Sequence, residues 1–137
     1  MEWPKPYPFN LEAYSAGVFV GTLVFGVCFM LIGMGIMGIV ICVFGFPVSF
    51  VVFAPASQMA LRLATRWGWT TRRQFQIVGV MAAVGTTLPL AFIRVLGSAS
   101  STDIVANLAM CLGLAIVSAV AGAAGGWMYW STNRQRR

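Results

Sequence analysis

Residues 14–60 contain no charged side chain. This run of 47 residues constrains the fold more than any motif in the chain. As one helix it would extend about 70 Å at about 1.5 Å per residue, whereas a bilayer core is only about 30 Å thick. The run offers water no polar face. Charged residues make up 9% of the whole chain, against roughly 25% in an ordinary soluble domain. The run therefore crosses a membrane twice, with a turn inside it.

Two further runs complete the pattern. Residues 75–97 carry a single charge, Arg94, near their end, and residues 104–130 carry none. Each suffices for one crossing of about 20 residues. The expected fold is all-α: a polytopic integral membrane protein with four transmembrane helices at about 11–32, 39–56, 72–97 and 103–130. The chain, 1–137, reads as a single four-helix transmembrane domain, two hairpins joined by a short amphipathic cytoplasmic segment. No cleaved leader is expected. The first residues lack a basic n-region, and the apolar run far exceeds an h-region of about 7–15 residues.

Local signals set the boundaries. Pro4, Pro6 and Pro8 favour an extended N-terminal arm with Trp3, Tyr7 and Phe9 at the interface. Asn10 is a candidate N-cap, and Glu12 then sits in the first turn, where the helix dipole favours an anion. The turn of the first hairpin is expected within residues 33–38, which hold Gly33, Gly35 and Gly38. Pro47 and Pro89 lie inside predicted spans and should kink them. In residues 58–74, Met59, Leu63 and Trp67 share one helical face and Arg62 and Arg66 another. That pattern predicts a short amphipathic helix on the membrane surface, ended by Gly68. Thr71 and Gln74 fit a capping box, and Ser101 or Thr102 can cap the last helix.

Charge sets the orientation. With four crossings, Lys5, Arg62, Arg66, Arg72, Arg73, Arg134, Arg136 and Arg137 share one side, leaving only Arg94 on the other. The positive-inside rule then places both termini in the cytoplasm. A cell inner (plasma) membrane is the expected location. The net charge of +6 serves topology and anionic lipid at the cytoplasmic face, with Arg62, Arg66, Arg72 and Arg73 as headgroup contacts. No nucleic acid is expected as a partner, because the chain has no extramembrane surface on which to read one.

The absences exclude much chemistry. Without histidine, bis-histidine haem, histidine zinc sites and histidine acid/base catalysis are impossible. Three acids, Glu2, Glu12 and Asp103, leave no paired carboxylates at helical spacing. Cys28, Cys42 and Cys111 are odd in number and form no C-x-x-C. Gly33-x-Gly35-x-x-Gly38 matches a dinucleotide-binding pattern only formally. No strand precedes it, and no acid lies about 20 residues on. The chain is not expected to be an enzyme or to hold a cofactor or metal.

Polar groups within a span are costly and deserve a reason. Arg94 near the outer end of the third span and Asp103 at the start of the fourth can pair across a short loop. Asp103, Asn107 and Cys111 recur every fourth residue, and Ser118 and Gly122 continue the face. With Glu12, the residues Arg94, Asp103 and Asn107 are the candidate intramembrane or gating positions. Gly17 and Gly21, with Ser118, Gly122 and Gly126, form small-xxx-small pairs that let two helices approach closely.

The leading expectation is a non-enzymatic protein that works by helix–helix or lipid contact. It would be an accessory or regulatory subunit of a membrane complex, or an immunity-type protein, bound to another membrane protein or to itself as a homodimer. A small dimeric transporter or channel is the alternative. In size the chain resembles the four-helix small multidrug exporters, which use a membrane-embedded glutamate in the first helix; Glu12 lies at the edge of its span instead. A phage-type pore-forming lysis protein is the third reading, and toxicity on expression would mark it.

Overall fold

A computed structural model of the chain describes residues 9–97 and 101–134, leaving aside the side chains of Leu90, Arg94 and Ser101. The described residues form helices and no strand. Helix α1 is Leu11–Leu31, α2 is Gly35–Val52, α3 is Ala54–Arg66, α4 is Arg72–Leu96 and α5 is Ser101–Arg134. Four of them, α1, α2, α4 and α5, are long and apolar enough to cross a membrane. The N-terminal arm, with Lys5, and Arg136 and Arg137 lie outside the described residues.

Helix α1 starts where Asn10 caps it. The Asn10 Oδ1 accepts from the N–H groups of Glu12 at 3.1 Å and Ala13 at 3.3 Å. The turn after α1 is shorter than expected. Gly33 alone takes a left-handed φ of +92°, and α2 resumes at Gly35, four residues before the expected start at 39. No polar loop is needed, because the N–H groups of Ile32, Gly33 and Met34 bond back to the end of α1.

The end of α2 also moves. The expected span to 56 stops at Val52, and α3 begins at Ala54. Pro55 is the cause: it has no N–H to give to the Val51 carbonyl, and its ring crowds that oxygen. The amphipathic helix thus starts at Ala54, just before the proline and four residues before the expected segment at 58. Pro47 and Pro89, by contrast, sit inside unbroken helices.

Helix α3 turns one face to its neighbours and another outward. Ala60, Leu61, Ala64 and Thr65 are buried, whereas Met59 is 69% and Trp67 54% exposed. Small side chains let α3 sit close to its neighbours, and the bulky face is left outward. Gly68, at φ +64°, ends α3 as expected. Gln74 Oε1 then accepts from Thr70 and Thr71 N–H, each at 2.9 Å, and α4 starts at Arg72. Ser101 and Thr102 lie within α5 rather than capping it, so its cap falls outside the described residues.

Helix α1 packs on α2, α4 on α5, and α1 on α5, while α3 lies against α4. The core gathers at one end. Ala13 and Tyr14 of α1, Leu61 and Ala64 of α3, Phe75 and Val78 of α4, and Tyr129 of α5 form one cluster. An aromatic chain links the first two helices there. Ring centroids are 5.0 Å apart for Tyr14–Phe50, 5.9 Å for Phe46–Phe50 and 5.7 Å for Phe19–Phe46. At the same end Trp130 Nε1 donates to the Thr70 carbonyl at 3.2 Å. The start of α1, the α3–α4 connection and the end of α5 therefore lie together.

Candidate intramembrane binding cavity

The seams between helices are built on small residues. A Cβ placed on Gly17 would lie 2.8 Å from the Gly125 carbonyl oxygen, and one on Gly21 would lie 3.2 Å from that of Ala121. On the next face of α5, Gly122 meets Gly79 and Gly126 meets the Phe75 backbone of α4. Adjacent Gly125 and Gly126 thus serve two seams, one toward α1 and one toward α4. The spacing of Gly17, Gly21, Gly122 and Gly126 was visible as pairs. Their partners Gly79 and Gly125 were not singled out, although Ala121 and Gly125 repeat the same four-residue spacing. Gly26 and Gly38, which close α1 on α2 beside Cys42, were also missed.

Between these seams lies a cavity of about 320 Å³. Its floor is α1 and α5, with α2 and α4 as walls and Ser57 and Leu61 of α3 at one end. Helices α2 and α4 form no seam with each other, so the cavity opens between them. The lining is mostly glycine, alanine, valine and aromatic rings. It includes Gly17, Gly21, Ser118, Gly122 and Gly126, so the predicted packing positions converge on one place.

The lining hydroxyls differ in state. Tyr14 donates to the Phe50 carbonyl at 2.7 Å, near the Pro55 bend. Thr22 and Thr87 donate to their own helices, at 2.8 Å to Val18 and 2.9 Å to Ala83. Ser118 is 2% exposed and its Oγ has no hydrogen-bond partner. Tyr129 is 7% exposed; its hydroxyl makes no hydrogen bond, though the Asn10 backbone lies near it.

The candidate gating residues stand apart from this cavity. Glu12 is exposed in the first turn of α1, Asp103 is exposed in the first turn of α5, and Asn107 lies one turn further on. None of them lines the cavity. Arg94 falls near the end of α4, but its side chain, and with it any pairing with Asp103, lies outside the described residues. Cys111 Sγ donates to the Ala91 carbonyl at 3.4 Å, tying α5 to α4 rather than lining a path. Arg62, Arg66, Arg72 and Arg73 are all exposed at the core end. There Arg72 sits 5.2 Å over the Trp127 ring and Arg134 5.2 Å over that of Trp130. Among the described residues no group of three or more His, Cys, Asp or Glu is placed to hold a metal. Compared with protein-family models, curated proteins and solved structures, the chain matches none.

Proposed function

We propose that the chain is a non-enzymatic integral membrane protein that works by contact, as an accessory or regulatory subunit of a larger membrane complex or as an immunity-type protein. The outer half of α5 carries this reading. No residue from 102 to 117 is buried within the chain. Ala106, Ala109 and Gly113 share one exposed face there, and a Cβ on Gly113 would meet nothing within 4 Å. Small residues on an outward face admit a second helix backbone, a closeness that lipid does not require.

In this reading the two hairpins sit in a cell inner (plasma) membrane, joined at the cytoplasmic face by α3. Both termini are cytoplasmic. The clustering of Arg62, Arg66, Arg72, Arg73 and Arg134 at one end supports that orientation and an anionic lipid surface there.

Affinity purification in nanodiscs followed by native mass spectrometry tests the contact. One foreign membrane protein should co-purify in fixed ratio, and Gly113→Leu should release it without changing the chain's own helix content. A homodimer with no foreign partner would instead favour a small dimeric transporter or channel. Retention of the partner by Gly113→Leu would remove α5 as its docking face.

A further inference from the structure

The cavity has the dimensions of a lipid chain. It runs from the level of Tyr129 to that of Ser118, about 16 Å along α5 at about 1.5 Å per residue. Half of a bilayer core is about 15 Å. Tyr129 lies between Trp127 and Trp130, near the arginines, at the depth where aromatic belts mark the interface. Ser118 is therefore near the middle of the span. The depth matches the reach of one leaflet's acyl chain. The cavity, about 320 Å³ and open between α2 and α4, admits such a chain from the side.

Its chemistry is graded along the same axis. The deep walls, such as Phe25, Ile41 and Ala83, are hydrocarbon, and the Thr22 and Thr87 hydroxyls there are already bonded to their own helices. At the shallow end the Tyr129 hydroxyl is buried and makes no hydrogen bond, so it can donate to a carbonyl oxygen at that level. Cations adjoin that end along the chain. Arg62 follows the lining residue Leu61, and Arg72 and Arg73 open the helix whose Phe75 lines the cavity.

We propose that the cavity is a lipid site that holds one acyl chain of an anionic phospholipid from the leaflet at the core end. The ester carbonyl meets Tyr129, and the phosphate lies among Arg62, Arg72 and Arg73. This deepens the contact reading and rests on it only for the spans being in a bilayer. The lipid is weighed on the purified chain, so its absence and the absence of a protein partner are separate results.

The full chain is reconstituted in nanodiscs of equal phosphatidylglycerol and phosphatidylcholine, extracted in mild detergent and weighed by native mass spectrometry. One phospholipid per chain is expected, with phosphatidylglycerol preferred by about tenfold. Ser49→Phe adds a ring to the α2 wall and should abolish the bound mass while helix content and elution volume stay unchanged. Val48→Phe, at a position 64% exposed on the same wall, is the second filling variant should the first not fold. Arg62→Gln with Arg73→Gln should keep a lipid but lose the preference. The proposal is overturned if the wild-type chain weighs lipid-free, if the bound mass is not a phospholipid, or if a folded filling variant retains it.

Discussion

Alanine at Gly17 and alanine at Gly113 are the same chemical change in two helices of one fold, and the structure gives them opposite signs. At Gly17 the new Cβ would stand 2.8 Å from the Gly125 carbonyl oxygen and 3.6 Å from Tyr129 Cβ. Comfortable carbon contacts begin near 3.5 Å, so α1 and α5 must part by several tenths of an ångström. The obstacle is backbone and cannot rotate away. Overpacking of this kind costs about 1–3 kcal/mol. Alanine recovers about 0.5–1 kcal/mol of the helix penalty of glycine. The net expectation is a loss of about 1 kcal/mol, about fivefold in the folded-to-unfolded ratio. At Gly113 nothing lies within 4 Å of the new methyl. Only the helix term remains there, a gain of about 0.5–1 kcal/mol. Reversible unfolding of the detergent-solubilised chain in rising SDS, followed by far-UV circular dichroism, measures both. If Gly17→Ala were as stable as the wild type, or if the two variants shifted in the same direction, the seam between α1 and α5 would not be as close as described.

The same unfolding assay checks three further changes. Tyr14→Phe removes the 2.7 Å bond to the Phe50 carbonyl and should cost about 0.5–1.5 kcal/mol, toward the lower end if bonds in lipid follow their measured average. Ser118→Ala removes a buried hydroxyl that has no partner and should stabilise the chain by about 1 kcal/mol; a loss instead would reveal a polar partner in the cavity. Trp130→Phe breaks the bond to the Thr70 carbonyl and removes the indole from beneath Arg134, so it should cost about 1 kcal/mol and speed hydrogen exchange at residues 67–71.

The spans were legible because charge exclusion is a property of composition, and the bilayer turns composition into length. The caps at Asn10 and Gln74 and the stop at Gly68 were legible because each depends on residues a few positions apart. The errors lie where two local signals compete. Residues 33–38 offered several glycines for one turn, and only the backbone shows that Gly33 makes it. Pro55 falls near the end of the expected second span, although a proline at the first turn can equally begin a new helix. On α3 the stripe Met59–Leu63–Trp67 marked a membrane-surface helix, but nothing local marked Ala60–Leu61–Ala64 as the face that closes on the bundle. The cavity itself was not legible. Its lining comes from five helices, and sequence spacing relates residues only within one.

The two halves of α5 follow different rules, and that division separates the two proposed contacts. From Ser118 to Tyr129 its small residues are enclosed by α1 and α4, and each glycine is used by a neighbouring backbone. From 102 to 117 the helix keeps Ala106, Ala109 and Gly113 on an open face. A glycine there costs about 0.5–1 kcal/mol relative to alanine and gains nothing from lipid, which fills the space beside a leucine as well. A second helix is the neighbour that gives it a use. The lipid site lies at the opposite end of the same helix, toward Tyr129 and the arginines. Gly113→Leu should therefore release a protein partner and keep the phospholipid, and Ser49→Phe should do the reverse. A variant of either kind that lost both, while still folded, would mean that the two ends of α5 act as a single site.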